Sequence, residues 1–193
     1  MEEYQMPKQR ITKEMVVSAA FEIARSDGME QVMVKSIAEK IGCSVQPIYS
    51  YCKNMEGLRQ DVTQKVCSFI GEYVKTHIDK DDIFTSTGRT YIQLAKEEPH
   101  LFKIFILHKR DGIASLEDLY QSEASPDTAE FISKKLDINI EQAKKLHLNM
   151  LIYTIGIGTI FSVTTPGISA DEIYEQQEAA YNAFLSQMTE DKE

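Results

Sequence analysis

Ser44-Val45-Gln46-Pro47 sets a hydroxyl, an aliphatic side chain, a carboxamide and a proline at the head of a short helical pattern, and Tyr49, Ser50 and Tyr51 follow. A carboxamide holds a donor and an acceptor side by side, the pattern that pairs with N6 and N7 of adenine in a DNA major groove. Gln46 is therefore the candidate for reading a base edge; its bland reading is a solvated surface amide. Val45 or Pro47 suits contact with a thymine methyl group. The basic residues Lys8, Arg10, Lys13, Lys35 and Lys53 flank the segment, where phosphates would lie. Lys8 and Arg10 are the candidates for reaching a minor groove.

Such side chains need rigid elements to carry them. Ile37, Ala38 and Ile41 share one helix face, and Ile48 and Tyr51 stand at i, i+3 on the next short pattern. Gly42 between them can adopt the left-handed conformation that closes a helix, and Ser44 is placed to cap the restart. The pattern predicts a helix-turn-helix, which presents its second helix to a major groove. Ile37, Ala38, Ile41 and Ile48 read as its core. Upstream, Thr12 to Asp27 is strongly amphipathic, with Val16, Ala19, Ala20, Ile23 and Ala24 on one stripe and Gly28 as its stop. It supplies the first helix of a three-helix bundle. Downstream, Asn54 is placed to cap a long fourth helix.

The run from Ile11 to about Val66 resembles the DNA-binding domain of the TetR family of transcriptional regulators. The residues that carry the resemblance are Ala20, Phe21, Gly28, Ile37-Ala38, Gly42, Ser44, Ile48-Tyr49, Lys53 and Leu58. By this resemblance Tyr49 would donate its hydroxyl to a phosphate while its ring packs, and Tyr51, Lys53 and the helix start at Asn54 would contact the backbone. The DNA-facing set is thus Lys35, Ser44, Val45, Gln46, Pro47, Tyr49, Ser50, Tyr51, Lys53 and Asn54. Some positions depart from the family pattern. Met33 stands where a threonine often caps the second helix, so that cap must be weaker or come from elsewhere. Cys52 replaces a common Phe or Val, and Met55 sits where a lysine often meets a phosphate. Pro47 is tolerable early in a helix, where its missing N–H has no partner anyway.

The resemblance implies an all-α fold: an N-terminal three-helix helix-turn-helix DNA-binding domain plus a larger helical ligand-binding and dimerisation domain. The expected divisions are a flexible arm over 1–10, the DNA-binding domain over 11–53, a connecting helix over 54–77 and an effector-binding and dimerisation domain over 78–193. Further helices are expected at about 84–97, ending before Pro99 because a residue preceding proline disfavours the α region, and through the apolar 100–107, which should be buried. Ser125-Pro126 reads as the cap and first position of another. Asn139 with Gln142, and Ser169 with Glu172, have capping-box spacing. No strand alternation appears, and about nine or ten helices are expected.

From Met150 to Val163 the chain is apolar or small on every side, so the helix needs cover on two faces. Gly156 and Gly158 cost about 1 kcal/mol each against alanine in a helix, which points to close backbone approach. The last helix, Ala170 to Met188, carries an apolar stripe at Ile173, Ala180, Phe184 and Leu185. Segments 142–163 and 170–188 are expected to form a homodimer seam, placing two recognition helices about 34 Å apart on a near-palindromic operator. A second group recurs in the C-terminal part: Tyr91, Phe102, Phe105, Tyr120, Phe131, His147, Tyr153 and Phe161, with Met150 as an adaptable wall. A mostly apolar cavity with a few polar groups is how a small-molecule site is built. The resemblance implies such an effector cavity for an unidentified, mostly apolar molecule, with His147 and Tyr153 as its expected polar lining. For any one of these residues the bland reading is core.

Composition bounds the rest. The net charge of −9 lies wholly in residues 61–193, with 13 basic and 22 acidic residues, whereas residues 1–60 balance eight against eight. DNA binding is therefore expected to be markedly salt-sensitive and to depend on dimerisation. Cys43, Cys52 and Cys67 lack metal-ligand spacing and read as free thiols of a reducing cytoplasm. The four histidines are scattered; no metal and no cofactor is expected. The charged start, MEEYQMPKQR, has no secretory pattern. The Met150–Val163 run is shorter than the ~20 residues a bilayer needs, so no membrane partner is expected. Without a phosphate loop, a nucleophile elbow or paired carboxylates, the chain does not read as an enzyme. The rival reading is a helical small-molecule carrier or protein-interaction module that keeps a vestigial helix-turn-helix.

Overall fold

Ten α-helices and one 3-10 turn account for most of the residues described in the computed structural model, namely 11–51, 54–79, 81–125, 127–164 and 167–190. Among the described residues there is no strand. The arm 1–10, with Lys8 and Arg10, and also Cys52, Lys53 and Pro126 lie outside them. The chain divides into two compact units, 1–69 and 70–193, and the division falls within one continuous helix.

In the first unit α1 (Lys13–Asp27) is capped by Thr12, whose Oγ1 accepts from the Met15 N–H at 3.2 Å. Its stripe of Val16, Ala19, Ala20, Phe21, Ile23 and Ala24 is buried, and Gly28 ends it at φ +94°. After a 3-10 turn (Met29–Gln31) come α2 (Val34–Ile41) and α3 (Val45–Tyr51), both packed on α1. Between them Gly42 takes φ +75°, ψ +37°, and the Cys43 N–H reaches back to the Ala38 carbonyl at 2.9 Å. That i to i−5 bond closes α2 and turns the chain into α3. Met33 makes no side-chain cap; Ser36 ties the entry to α2 instead, its Oγ accepting the Met33 N–H at 3.1 Å and donating to the Gln31 carbonyl at 2.7 Å.

Ile37, Ala38 and Ile48 are core as expected; Ile41 is only half-buried, at the turn where the helix leaves the bundle. α4 (Met55–His77) starts at Asn54, whose Oδ1 accepts the Gly57 N–H at 2.7 Å. Leu58, Val62 and Val66 form its buried face, and Lys65 donates to Ser18 Oγ at 2.8 Å while lying over the Phe21 ring.

The second unit is built around α9 (Ile140–Val163), which packs against α5 (Ile83–Glu97), α6 (Pro99–Leu107), α8 (Thr128–Leu136) and α10 (Ala170–Glu190). Both expected capping boxes are present. Asn139 and Gln142 exchange bonds of 2.9 Å, and Ser169 and Glu172 exchange bonds of 3.2 and 2.9 Å. The tyrosine hydroxyl of Tyr73, near the end of α4, donates to Glu97 at the end of α5 at 2.6 Å, and Gln93 Nε2 donates to the same carboxylate at 2.7 Å. These two bonds, Tyr73's first, hold Glu97 below the usual carboxylate range and account for an acidic residue at a helix C-terminus.

Several expectations are corrected. The segment 100–107 is buried only at Leu101 and Phe102; Leu107, at the far end of a short helix, is 76% exposed. A helix absent from the sequence reading, α7 (Leu116–Glu123), is capped by Ser115, which accepts the Asp118 N–H at 3.1 Å. α8 spans Thr128–Leu136, and Ser125 Oγ pairs with Thr128 Oγ1 at 2.8 Å; the expected first position, Pro126, lies outside the described residues. The apolar run Met150–Val163 is the end of a 24-residue helix, which by length and composition is enough to cross a membrane. Here α5, α6, α8 and α10 pack on one side of it, and Ala143, Leu146 and Met150 join Ile132, Ile138 and Met188 in one core.

Candidate functional site

On α3, Ile48 points inward and is fully buried, while Val45, Gln46, Tyr49, Ser50 and Tyr51 on the same seven residues are exposed. Tyr49 is 59% exposed, a large aromatic left outside although buried positions lie next to it. Ser44 and Lys35 are also exposed, and Pro47 is half-buried. Asn54 spends its side-chain oxygen on the α4 cap. The chain therefore brings Val45, Gln46, Tyr49, Ser50 and Tyr51 together on one short helix, with Ser44 just before it, and a single buried anchor fixes that helix to α1 and α2. Such a surface can hydrogen-bond through an amide and hydroxyls and make apolar contact through Val45.

In the second unit a cavity of about 480 Å³ opens among α5, α6, α8, α9 and α10. Of the nine residues singled out in the sequence, Tyr91, Phe102, Phe105, Phe131, His147 and Met150 line it. Tyr120, Tyr153 and Phe161 do not. Tyr120 is buried behind His147, its hydroxyl 3.5 Å from Nδ1 and its ring edge-on to the imidazole. Burial pulls the His147 pKa down, so the imidazole is neutral near pH 7.

The polar lining that sequence reasoning missed comes from Thr154 and Gln177. Gln177 is 2% exposed, and its Nε2 donates to Thr154 Oγ1 at 3.2 Å. The available signal was its place at i+4 from Ile173 and i−4 from Tyr181, the inward stripe of α10. Glu123 also lines the cavity, but Arg110 Nε donates to it at 2.5 Å while Nη1 donates to the Ile106 carbonyl at 2.8 Å. Close approach marks two wall positions. A Cβ on Gly158 would fall 2.8 Å from Phe102 Cε1 and closer still to Cζ, whereas one on Gly156 meets nothing within 4 Å.

The outer side of α9 is apolar. Ile152 and Ile160 are 50% and 49% exposed, Gly156 lies between them one turn from each, and Val163 continues the stripe. On α10 the expected stripe faces inward instead. Ile173 is buried, and Phe184 and Leu185 pack on the core of α8, α9 and Met188.

No family model matches the chain. It is 20% identical over 108 residues to the uncharacterized HTH-type transcriptional regulator YobS of Bacillus subtilis (strain 168), an alignment covering 54% of this chain and 56% of that protein. The chain thus spans about half the length of the relative it matches.

Proposed function

We propose that this protein is a homodimeric, ligand-responsive transcriptional repressor of TetR type, acting in the cytoplasm. The observation that carries the reading is α3: a short helix pinned by Ile48, turned out of α2 at a left-handed glycine, with Val45, Gln46, Tyr49 and Tyr51 exposed. The likeness to an HTH-type transcriptional regulator supports the same reading. Gln46 reads a base edge, Val45 and Pro47 meet thymine methyl groups, and Ser44, Ser50, Tyr49, Tyr51, Lys35 and Lys53 fix the backbone register. The α9 stripe of Ile152, Gly156, Ile160 and Val163 meets its own copy across a two-fold axis, giving paired half-sites. An apolar effector in the cavity lined by Tyr91, Phe102, Phe105, Phe131, His147 and Met150 favours the conformation that does not fit DNA. It acts through α4, and only by its difference in affinity for the two states.

Footprinting and gel shifts with the DNA upstream of the protein's own gene test this. One protected near-palindrome, with affinity falling steeply as salt rises, is the expected result. The rival, a small-molecule carrier with a vestigial helix-turn-helix, draws on the cavity and on the charge balance of residues 1–60. Weak, sequence-blind binding favours that rival and excludes the repressor.

A further inference from the structure

Gln177 holds an acceptor that nothing satisfies. Its Oε1 is buried and has no hydrogen-bond partner among the described residues, although the residue borders a 480 Å³ cavity. The amide is seated against α5 because position 88 is glycine; a Cβ there would overlap Nε2. Thr154 Oγ1 accepts from that Nε2, which leaves its own O–H to give. Side by side, the two residues offer one acceptor and one donor on a largely apolar wall. That pair matches a hydroxyl, which donates once and accepts once.

Charge elsewhere on the wall is already matched. Glu123 is held by Arg110 at 2.5 Å, and Glu178 lies 3.7 Å from Arg89. His147 is neutral near pH 7. An anionic ligand therefore meets no free cation among the described lining residues, and a cationic one meets no carboxylate without a basic neighbour.

We infer that the cavity takes an uncharged, largely apolar molecule carrying a hydroxyl group, which donates to Gln177 Oε1 and accepts from Thr154. This rests on the reading of the cavity as an effector site. It adds what the aromatic lining alone does not supply, a chemical reason to prefer one apolar molecule over another.

Calorimetric titration of the full chain at pH 7 with 2-naphthol and 4-phenylphenol, each paired with its methyl ether, tests it. The ether keeps the ring and the acceptor but loses the donor. Binding of each alcohol at least about tenfold tighter than its ether is expected, because the ether leaves Oε1 buried and unmet. In Gln177→Met the ratio should fall to about one through loss of alcohol affinity. Should that variant not fold, the wild-type ratio decides. Equal affinities for alcohol and ether overturn the hydroxyl inference while leaving the cavity as a ligand site. Failure of all four compounds to bind overturns the cavity reading and the inference with it.

Discussion

Replacing Gly158 with alanine puts a methyl group into the ring of Phe102, a side chain only 1% exposed. With Cε1 2.8 Å away and Cζ nearer, the ring must move. Overpacking of this kind costs about 1–3 kcal/mol. Alanine also returns about 1 kcal/mol of helix propensity on α9. The net destabilisation is therefore about 0–2 kcal/mol, too small a number to judge alone. The informative quantity is the coupling with position 102. In a Phe102→Leu background the far ring atoms are gone, so Gly158→Ala should stabilise by about 1 kcal/mol. The cycle thus predicts a coupling of about 1–3 kcal/mol between the two positions. Native-state hydrogen exchange of the α9 amides, at fixed protein concentration, reads the second unit separately from the first. Additivity within about 0.5 kcal/mol would refute the argument that glycine is needed there for the aromatic wall of the cavity.

Gly42→Ala should lower the stability of the first unit by about 1 kcal/mol, the left-handed strain of 1–2 kcal/mol less the gain from a stiffer unfolded chain; thermal unfolding measures it. Ile152→Glu and Ile160→Glu alter half-exposed positions, so the protomer should fold while the dimer dissociates. Sedimentation equilibrium reads this, and a wild-type monomer sinks the paired half-site scheme. Burial holds His147 below its usual pKa of 6.5. The unfolded chain therefore takes up the proton first, and this contribution to stability is complete above pH 6.5 and lost progressively below it. His147→Gln should flatten that part of a urea-unfolding pH profile. Gln46→Ala should relax specificity at one base position by about 1–3 kcal/mol in competition gel shifts; unchanged specificity removes Gln46 from the reading role.

Elements with strong local punctuation were legible in the sequence. Gly28 and Gly42 stop α1 and α2, and the Asn139–Gln142 and Ser169–Glu172 pairs start α9 and α10. α7 was not legible, because its eight residues bury only Tyr120 and so show no stripe, although Ser115 with Asp118 was a usable start signal. Six of the nine residues singled out for the cavity, Met150 among them, do line it. Tyr153 does not, since helical spacing gives a residue's face but not the neighbour it meets. Gln177 was invisible for the opposite reason: beside Glu175, Gln176 and Glu178 a glutamine reads as solvated surface, and only the packing of α10 on α9 and α5 buries it. Gly156 and Gly158 look alike in sequence, yet one faces open space and the other a phenyl ring.

The phenol–carboxylate bond between Tyr73 and Glu97 gives the molecule two acid responses in sequence. Mild acidification first penalises the buried imidazole of His147, loosening the interior of the second unit. Glu97 keeps its charge well past that point, because its bond donors hold its proton affinity down. The last turns of α4 thus stay moored to α5, itself a wall of the cavity, while the chamber beside them softens.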